Sequence, residues 1–276
     1  MKKILFIFCF ALVSCNSGLQ FLNKFDGFNG KPKEVKTTTY RVKYEDSIPT
    51  KNLAYMNIDF YDSKGRKIKT LMYKSDGSLS TGGTYYKFDK NGNLIRSIMF
   101  KRDSTVNMEI DYKYDDYGNQ IEKTYSSGIR RFTTKTTYNR ETRIAKIIGK
   151  YSDGSFKENA VLQFNDKWKE KELISYDSTG IQTNRIEFFY DSEENKIQSK
   201  WFNAKNELTS YYNSNYNSKS DRISIEKYRI KNGKPELTDD TKIEYEYDEK
   251  KNRIEKRLIH NGKITFITKY EYSYMW

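Results

Sequence analysis

The sequence predicts an all-β protein: an antiparallel β-meander of about 18 short strands, curled into a spiral, a wide barrel or a flattened sandwich. Three observations predict it. Aromatic residues recur on a step of about 26 residues, turn chemistry follows each one, and apolar and charged residues alternate in between. The aromatics ahead of the turns are Tyr61, Phe88, Tyr114, Tyr138, Phe164, Tyr190, Tyr216 and Tyr247, separated by 27, 26, 24, 26, 26, 26 and 31 residues. A second series follows each anchor by 11 to 13 residues: Tyr73, Phe100, Tyr125, Tyr151, Tyr176, Phe202, Tyr228 and, in the last slot, Ile259. A fixed step of this size marks a repeat architecture.

Each turn reads from its residues. Asp62-Ser63-Lys64-Gly65, Asp89-Lys90-Asn91-Gly92, Asp115-Asp116-Tyr117-Gly118 and Asp177-Ser178-Thr179-Gly180 place an amide acceptor first and a residue tolerant of positive φ last. The strands read from period two. Ile243, Tyr245 and Tyr247 share one face, with Glu244 and Glu246 on the other. Ile110, Tyr112 and Tyr114, and Thr268, Tyr270 and Tyr272, repeat the pattern. An open sheet of that many strands would run ~85 Å at ~4.8 Å per strand. Open sheets rarely exceed ~10 strands, and an aromatic face of that length cannot stay uncovered. The sheet is therefore expected to curl, with Tyr and Phe inside and Lys and Glu outside.

The pattern aromatic-Asp-x-x-Gly-Asn/Arg resembles the tyrosine-aspartate (YD) repeats of rearrangement-hotspot (RHS) and wall-associated proteins over most of residues 55–260. The match is best from Tyr61 to Arg66, Phe88 to Asn93 and Tyr114 to Asn119. It departs after Tyr138, Phe164 and Tyr216, where the Gly is missing. The resemblance implies stacked β-hairpins winding into a spiral, which in large members encloses a toxin or binds carbohydrate. This chain is too short to enclose a passenger, so the toxin role is not carried over.

In chain order, residues 1–15 read as a targeting segment. Lys2 and Lys3 precede an apolar run from Ile4 to Val13, too short for the ~20 residues of a bilayer span. Leu12-Val13-Ser14-Cys15 is similar to the bacterial lipobox, which implies a lipoprotein signal peptide, cleavage before Cys15 and acylation of that residue. Asn16 in the next position implies, by the same resemblance, an outer-membrane destination. Residues 16–33 read as a tether, with Phe25 and Phe28 among its apolar members, and residues 34–276 as a single β-repeat domain. Asp46 to Asn52, with Pro49, reads as a longer connection. Lys231 to Glu236 reads as a lengthened hairpin loop at the 31-residue step, and Thr265 to Trp276 as the last strand.

Cys9 leaves with the signal, so the mature chain is expected to hold Cys15 alone and no intramolecular disulfide. The formal charge of +13 falls to +11 without Lys2 and Lys3. Nucleic acid is not the expected partner of an exported chain, and charges of both signs alternating along strands describe a solvated face. The expected membrane contact is the lipid on Cys15.

Catalytic chemistry finds little footing. His260 is alone beside Asn261-Gly262 in a predicted turn, so neither a zinc site nor a Cys/His nucleophile can be assembled. Glu193-Glu194, Asp239-Asp240 and Asp115-Asp116 sit near turns, where solvent would keep their pKa ordinary. No cofactor is expected. Asp46-Ser47-Ile48, Asp103-Ser104-Thr105 and Asp177-Ser178-Thr179 resemble a short O-glycan acceptor pattern of exported bacterial proteins. Trp168, Trp201, Tyr86 and Tyr211 are the candidate binding residues, because flat rings beside Lys or Arg suit stacking on sugars. Neighbouring rungs could equally stack such rings on each other to hold the sheet.

The expected function is a non-catalytic envelope lipoprotein whose β domain binds glycan, envelope polymer or protein. An outer-membrane β-barrel is the alternative, since Tyr272-x-Tyr274-x-Trp276 resembles the C-terminal signal of such barrels. A carbohydrate-active enzyme on a β scaffold is a third.

Overall fold

The computed structural model describes residues 24–274; Cys15, the start of the tether and Trp276 lie outside the described residues. A short 3-10 turn (Lys24–Gly27) precedes eighteen strands. The first six are β1 (Pro32–Glu45), β2 (Ile48–Tyr61), β3 (Lys67–Lys74), β4 (Gly83–Phe88), β5 (Leu94–Phe100) and β6 (Val106–Tyr114). The middle six are β7 (Gln120–Ser127), β8 (Arg130–Asn139), β9 (Ile144–Tyr151), β10 (Phe156–Phe164), β11 (Glu170–Tyr176) and β12 (Gln182–Tyr190). The last six are β13 (Lys196–Asn203), β14 (Leu208–Tyr216), β15 (Arg222–Lys231), β16 (Lys234–Tyr247), β17 (Arg253–His260) and β18 (Lys263–Tyr274).

Every strand pairs antiparallel with its neighbours in sequence, and β1 also pairs with β18, from Pro32↔Tyr274 to Arg41↔Phe266. The meander is thus a closed barrel. Closure removes the unpaired edges that an open sheet would present.

The repeat sets the geometry of one rim. At Asp62 the backbone N–H donates to the Arg66 carbonyl at 3.0 Å, and Gly65 N–H returns to the Asp62 carbonyl at 2.9 Å. The same pair of bonds recurs at Asp89, Asp115, Asn165, Asp191, Asn217 and Asp248. Gly65 takes φ +80°; where the Gly is missing, Trp168 and Ser220 both take φ +58° in its place. Their turns hold because Asn165 Oδ1 accepts from the Lys167 and Lys169 amides, and Asn217 Oδ1 from those of Lys219 and Asp221. The turn after Tyr138 is different: Asn139 pairs with Ile144, Arg143 carries the positive φ, and no bulge follows. Elsewhere the register shifts beside the anchor, as at Phe60/Tyr61, Lys113/Tyr114 and Phe189/Tyr190. Such bulges bend a strand and increase its twist. Repeated at both rims, they curl the sheet until its ends meet.

Cross-strand register assigns the anchors from Tyr61 to Tyr247 to one face, together with Tyr270, Tyr272 and Tyr274. Of the buried aliphatic and aromatic side chains, all but Val42 and Ile267 lie on this face. It is the inner face, because side chains converge on the concave side of a closed sheet and nothing among the described residues covers the convex side. The largest core cluster, from Ala145 and Ile147 through Leu162 and Phe164 to Phe188, occupies the inside of β9 to β12. In β9 the alternation is clean, with Ala145, Ile147 and Gly149 dry and Lys146, Ile148 and Lys150 wet. In β7 and β13 both faces are half-buried, so water reaches each side of that wall.

Four sequence expectations are corrected. First, charge is not confined outside: Asp59, Lys67, Glu170, Lys196, Lys227 and Asp239 all face inward. They are tolerated because they pair, Lys196 with Glu170 at 2.9 Å and Lys227 with Asp239 at 2.8 Å. Second, the second aromatic series is split. Tyr73, Phe100, Tyr176, Phe202 and Tyr228 face outward, whereas Tyr125 and Tyr151 stand inward around Phe132. Those two follow their anchors by 11 and 13 residues instead of 12, and an odd offset reverses the face of a strand residue. Third, Asp46 to Asn52 is not a long connection. Asp46 and Ser47 form a two-residue turn with both φ positive, and Pro49 lies within β2. Fourth, the 31-residue step does not lengthen a loop. Asn232-Gly233 closes Lys231↔Lys234 tightly, and β16 runs to 14 residues instead.

Candidate functional site

The two rims differ. At the anchor rim, tyrosines latch successive rungs. Tyr114 OH donates to the Leu94 carbonyl (2.8 Å), Tyr138 to Gln120 (3.3 Å), Tyr216 to Lys196 (3.0 Å), Tyr245 to Arg222 (3.1 Å) and Tyr272 to Arg253 (2.6 Å). Each acceptor is the first residue of the preceding strand. Burial pushes the Tyr114 and Tyr245 hydroxyls up to about 12, and raises those of Tyr61, Tyr190 and Tyr272 further.

The chain also enters at this rim. Asp26 accepts from Tyr61 OH at 2.7 Å and pairs with Lys67 at 2.5 Å. Phe28 packs edge-on to Tyr272, and the Asn29 amide donates to Asn252 Oδ1 at 2.6 Å. Residues 26–29 thus strap β2, the β16–β17 turn and β18 beside the place where the barrel closes.

The opposite rim carries the hairpin tips. Ile48 to Ala54 of β2 pair only with β1, and Lys234 to Asp240 of β16 only with β15. Both segments pass beyond the wall, and each holds a proline, Pro49 and Pro235, that removes a donor from its free side. Ser47, Ser104 and Ser178, the middle residues of the three acceptor-like triplets, are all exposed and all on this rim.

The structure does not bring the four sequence candidates together. Trp168 sits in an anchor-rim turn, its ring 5.5 Å from Phe164 and 5.8 Å from the Arg140 guanidinium. Trp201 stands on the inner face of β13, edge-on to Tyr212 at 4.6 Å. Tyr86 faces inward from β4, its hydroxyl 3.4 Å from Thr70. Tyr211 faces outward and stacks on Tyr228 at 4.6 Å and 14°. Each is held by a neighbouring rung, the arrangement that stabilises a sheet.

Sequence reasoning missed a groove of about 560 Å³ over β10 to β12, beside the anchor rim. It presents Lys167, Lys169 and Lys171 and the acids Glu172, Glu187 and Asp191 alongside the exposed Phe189 ring. Lys167 and Lys169 share Glu194, at 3.4 and 3.0 Å, while Lys200 lies 4.9 Å over Phe189. The Lys169 hydrogen bond holds the Glu194 carboxyl below its ordinary value, so this acid is not the unperturbed group its turn suggested. The run Lys-x-Lys-x-Lys at 167–171 was visible in the sequence. Its convergence with Phe189 was not, because that needs the β11–β12 register. His260 closes β17 and faces Asp239 at 3.2 Å. Burial pushes the Asp239 carboxyl up, but Lys227 outweighs it and holds the group low. A carboxylate held low accepts hydrogen bonds and charge; it is a poor proton donor at neutral pH.

The sequence matches no protein-family model and no curated protein. Among solved structures it is similar to a chain of the TcdB2-TccC3-Cdc42 crystal structure, at 12% identity and TM-score 0.37. That similarity covers 80% of this chain, which spans only 13% of the other. A porin-like protein from Bacteroides uniformis is similar at 11% identity and TM-score 0.31, over 88% of this chain and 96% of that one. A putative outer membrane lipoprotein-sorting protein domain from Vibrio parahaemolyticus is similar at 11% identity and TM-score 0.23, over 93% and 90%.

Proposed function

We propose that this chain is a non-catalytic lipoprotein of the bacterial envelope, tethered through Cys15, whose barrel is a binding surface for a glycan or an envelope polymer. The groove over β10 to β12 carries this reading. It combines lysines, carboxylates, side-chain amides and an exposed aromatic ring in one open depression, the set of groups that meets the hydroxyls and the flat face of a sugar. The strapped N-terminal segment orients the reading. A tether leaving the anchor rim would hold that rim toward the bilayer and point the hairpin tips away from it.

The test is binding of the Cys15→Ser protein, produced without its signal, to immobilised glycans and envelope polysaccharides. Phe189→Ala and Lys171→Glu should each weaken capture about tenfold or more. Unchanged capture by both variants would remove the groove from the account, and release of soluble sugar from the polymer would replace binding with catalysis.

A second reading, an outer-membrane barrel, draws support from closure by an even number of strands. Its strands run against it: β4, β5 and β11 hold only 6, 7 and 7 residues, fewer than the ~9–11 that cross a bilayer. Lys242, Glu244, Glu246, Lys269 and Glu271 stand on the outer face, where lipid contact requires an apolar band. Solubility of the Cys15→Ser protein without detergent would remove this reading.

A further inference from the structure

The inner face of β15 to β18 gathers more positive charge than the protein neutralises. Lys256 is the cross-strand partner of Tyr245 on one side and Thr268 on the other. The Arg253 guanidinium lies 5.3 Å from the Tyr245 ring, and Tyr245 OH donates to the Arg222 carbonyl at 3.1 Å. Two cations, Lys256 and Arg253, therefore flank one ring, while Arg222 meets it through its backbone carbonyl and carries its own guanidinium 5.7 Å from the Tyr216 ring. The carboxylate serving them is Asp221, only 4% exposed, and both its oxygens are committed, one to Arg253 and the other to Tyr247 OH at 2.5 Å. Arg222 reaches Tyr216 OH at 3.3 Å but no acid. Lys256 is half-buried and makes no ion pair or hydrogen bond among the described residues. Burial first, and then the Arg253 and Arg222 guanidiniums, push its ammonium below the ordinary lysine value. The next inward acid on these strands, Asp239, is held by Lys227 and His260 near the opposite rim.

A half-buried cation without a counter-charge costs stability, and natural proteins rarely keep one without a use. Among the other inward lysines, Lys67, Lys196 and Lys227 each have a carboxylate, and Lys123 sits over the Tyr112 and Tyr125 rings at 5.6 and 4.6 Å. We infer that Lys256, with Arg253 and Arg222, forms an oxyanion-binding site on the barrel's inner wall, taking a carboxylate, sulfate or phosphate group of a small ligand. Neighbouring hydroxyls suit a polar ligand body: Tyr270 and Thr268 flank Lys256 on β18, and Thr39 Oγ1 lies 3.1 Å from Thr268 Oγ1. Two strands further round, Asn57 Oδ1 is a buried acceptor that no donor among the described residues reaches. This site is separate from the outer groove. It draws only on the saccharide reading above for the choice of probe.

The test is calorimetric titration of the intact soluble protein at constant ionic strength with sulfate, galacturonate and neutral galactose, repeated on Lys256→Met and Lys256→Arg. The site predicts saturable binding of sulfate and galacturonate, none of galactose, at least a tenfold loss in Lys256→Met, and retention in Lys256→Arg. It further predicts that Lys256→Met melts at the same or a higher temperature, since it removes an unbalanced charge. A purely structural lysine would lower it. Binding that survives in Lys256→Met, or no saturable binding of either anion, would overturn the site. Sulfate bound without galacturonate would keep the oxyanion site and count against the saccharide reading instead.

Discussion

At the scale of single residues, the tyrosines bear on stability twice. Their rings line the inner wall, and their hydroxyls take up backbone carbonyls at the start of each preceding strand. Tyr216→Phe keeps the ring and loses the bond to Lys196; it should cost about 1 kcal/mol in urea unfolding, the net worth of one such bond. The same burial makes the fold alkali-sensitive. Tyrosines whose folded pKa exceeds the unfolded value near 10 contribute stability that is fully present below pH ~10 and is lost as pH rises through their raised values. With Tyr114 and Tyr245 at about 12, tyrosinate absorbance should rise in two phases. The second should coincide with loss of the β signal in circular dichroism. A single phase near pH 10 with the fold intact would refute the buried set. Gly83 is the other telling position. Its φ is +98°, and an added Cβ would lie 2.9 Å from Leu71 Cδ2 and 3.2 Å from the Thr70 carbonyl. Gly83→Ala should therefore cost about 1–3 kcal/mol, read from the same unfolding curves.

At the scale of elements, turns and seams carry unequal loads. The turn carboxylates are charged acceptors. The Thr179 side chain and the Ile181 amide hold Asp177 below its ordinary value, and at Asp89 the bonds from Asn93 outweigh burial. Such groups contribute stability present above the unfolded pKa near 3.9 and lost as pH falls through the lowered folded value. Acid unfolding should therefore begin below about pH 4. Asp177→Asn, which keeps the acceptor and loses the charge, should be less stable than the parent at neutral pH and match it once the parent's carboxylate is protonated, read from urea unfolding at the two pH values. The weakest seam is β3–β4, joined by two registered pairs, Lys69↔Tyr85 and Thr70↔Thr84, and an isolated bridge at Tyr73↔Leu79. Amides of β4 should exchange with deuterium ahead of those in β9 and β10, where the core cluster lies. Equal protection would show that the barrel opens only as a whole.

At the scale of the whole molecule, closure makes the first and last strands neighbours, and the strap across residues 26–29 fastens their junction. Asp26→Ala removes partners from Tyr61 and Lys67 and should lower stability by about 1–2 kcal/mol, discounted for the partial exposure of the pair.

The sequence by itself determined the rhythm, the strand count, the antiparallel order and the turns, because each depends on residues a few positions apart. It also held the parity of Tyr125 and Tyr151, in offsets of 11 and 13 residues. Only the tertiary structure decided that the sheet is a barrel, since β1–β18 pairing joins residues such as Val35 and Tyr272 that no local pattern connects. The groove over β10 to β12 and the cations around Tyr245 belong to the same class. Their members are ordinary lysines, arginines and rings in sequence. They become a site only when cross-strand register and curvature bring them onto one wall, where the charge left over can be counted.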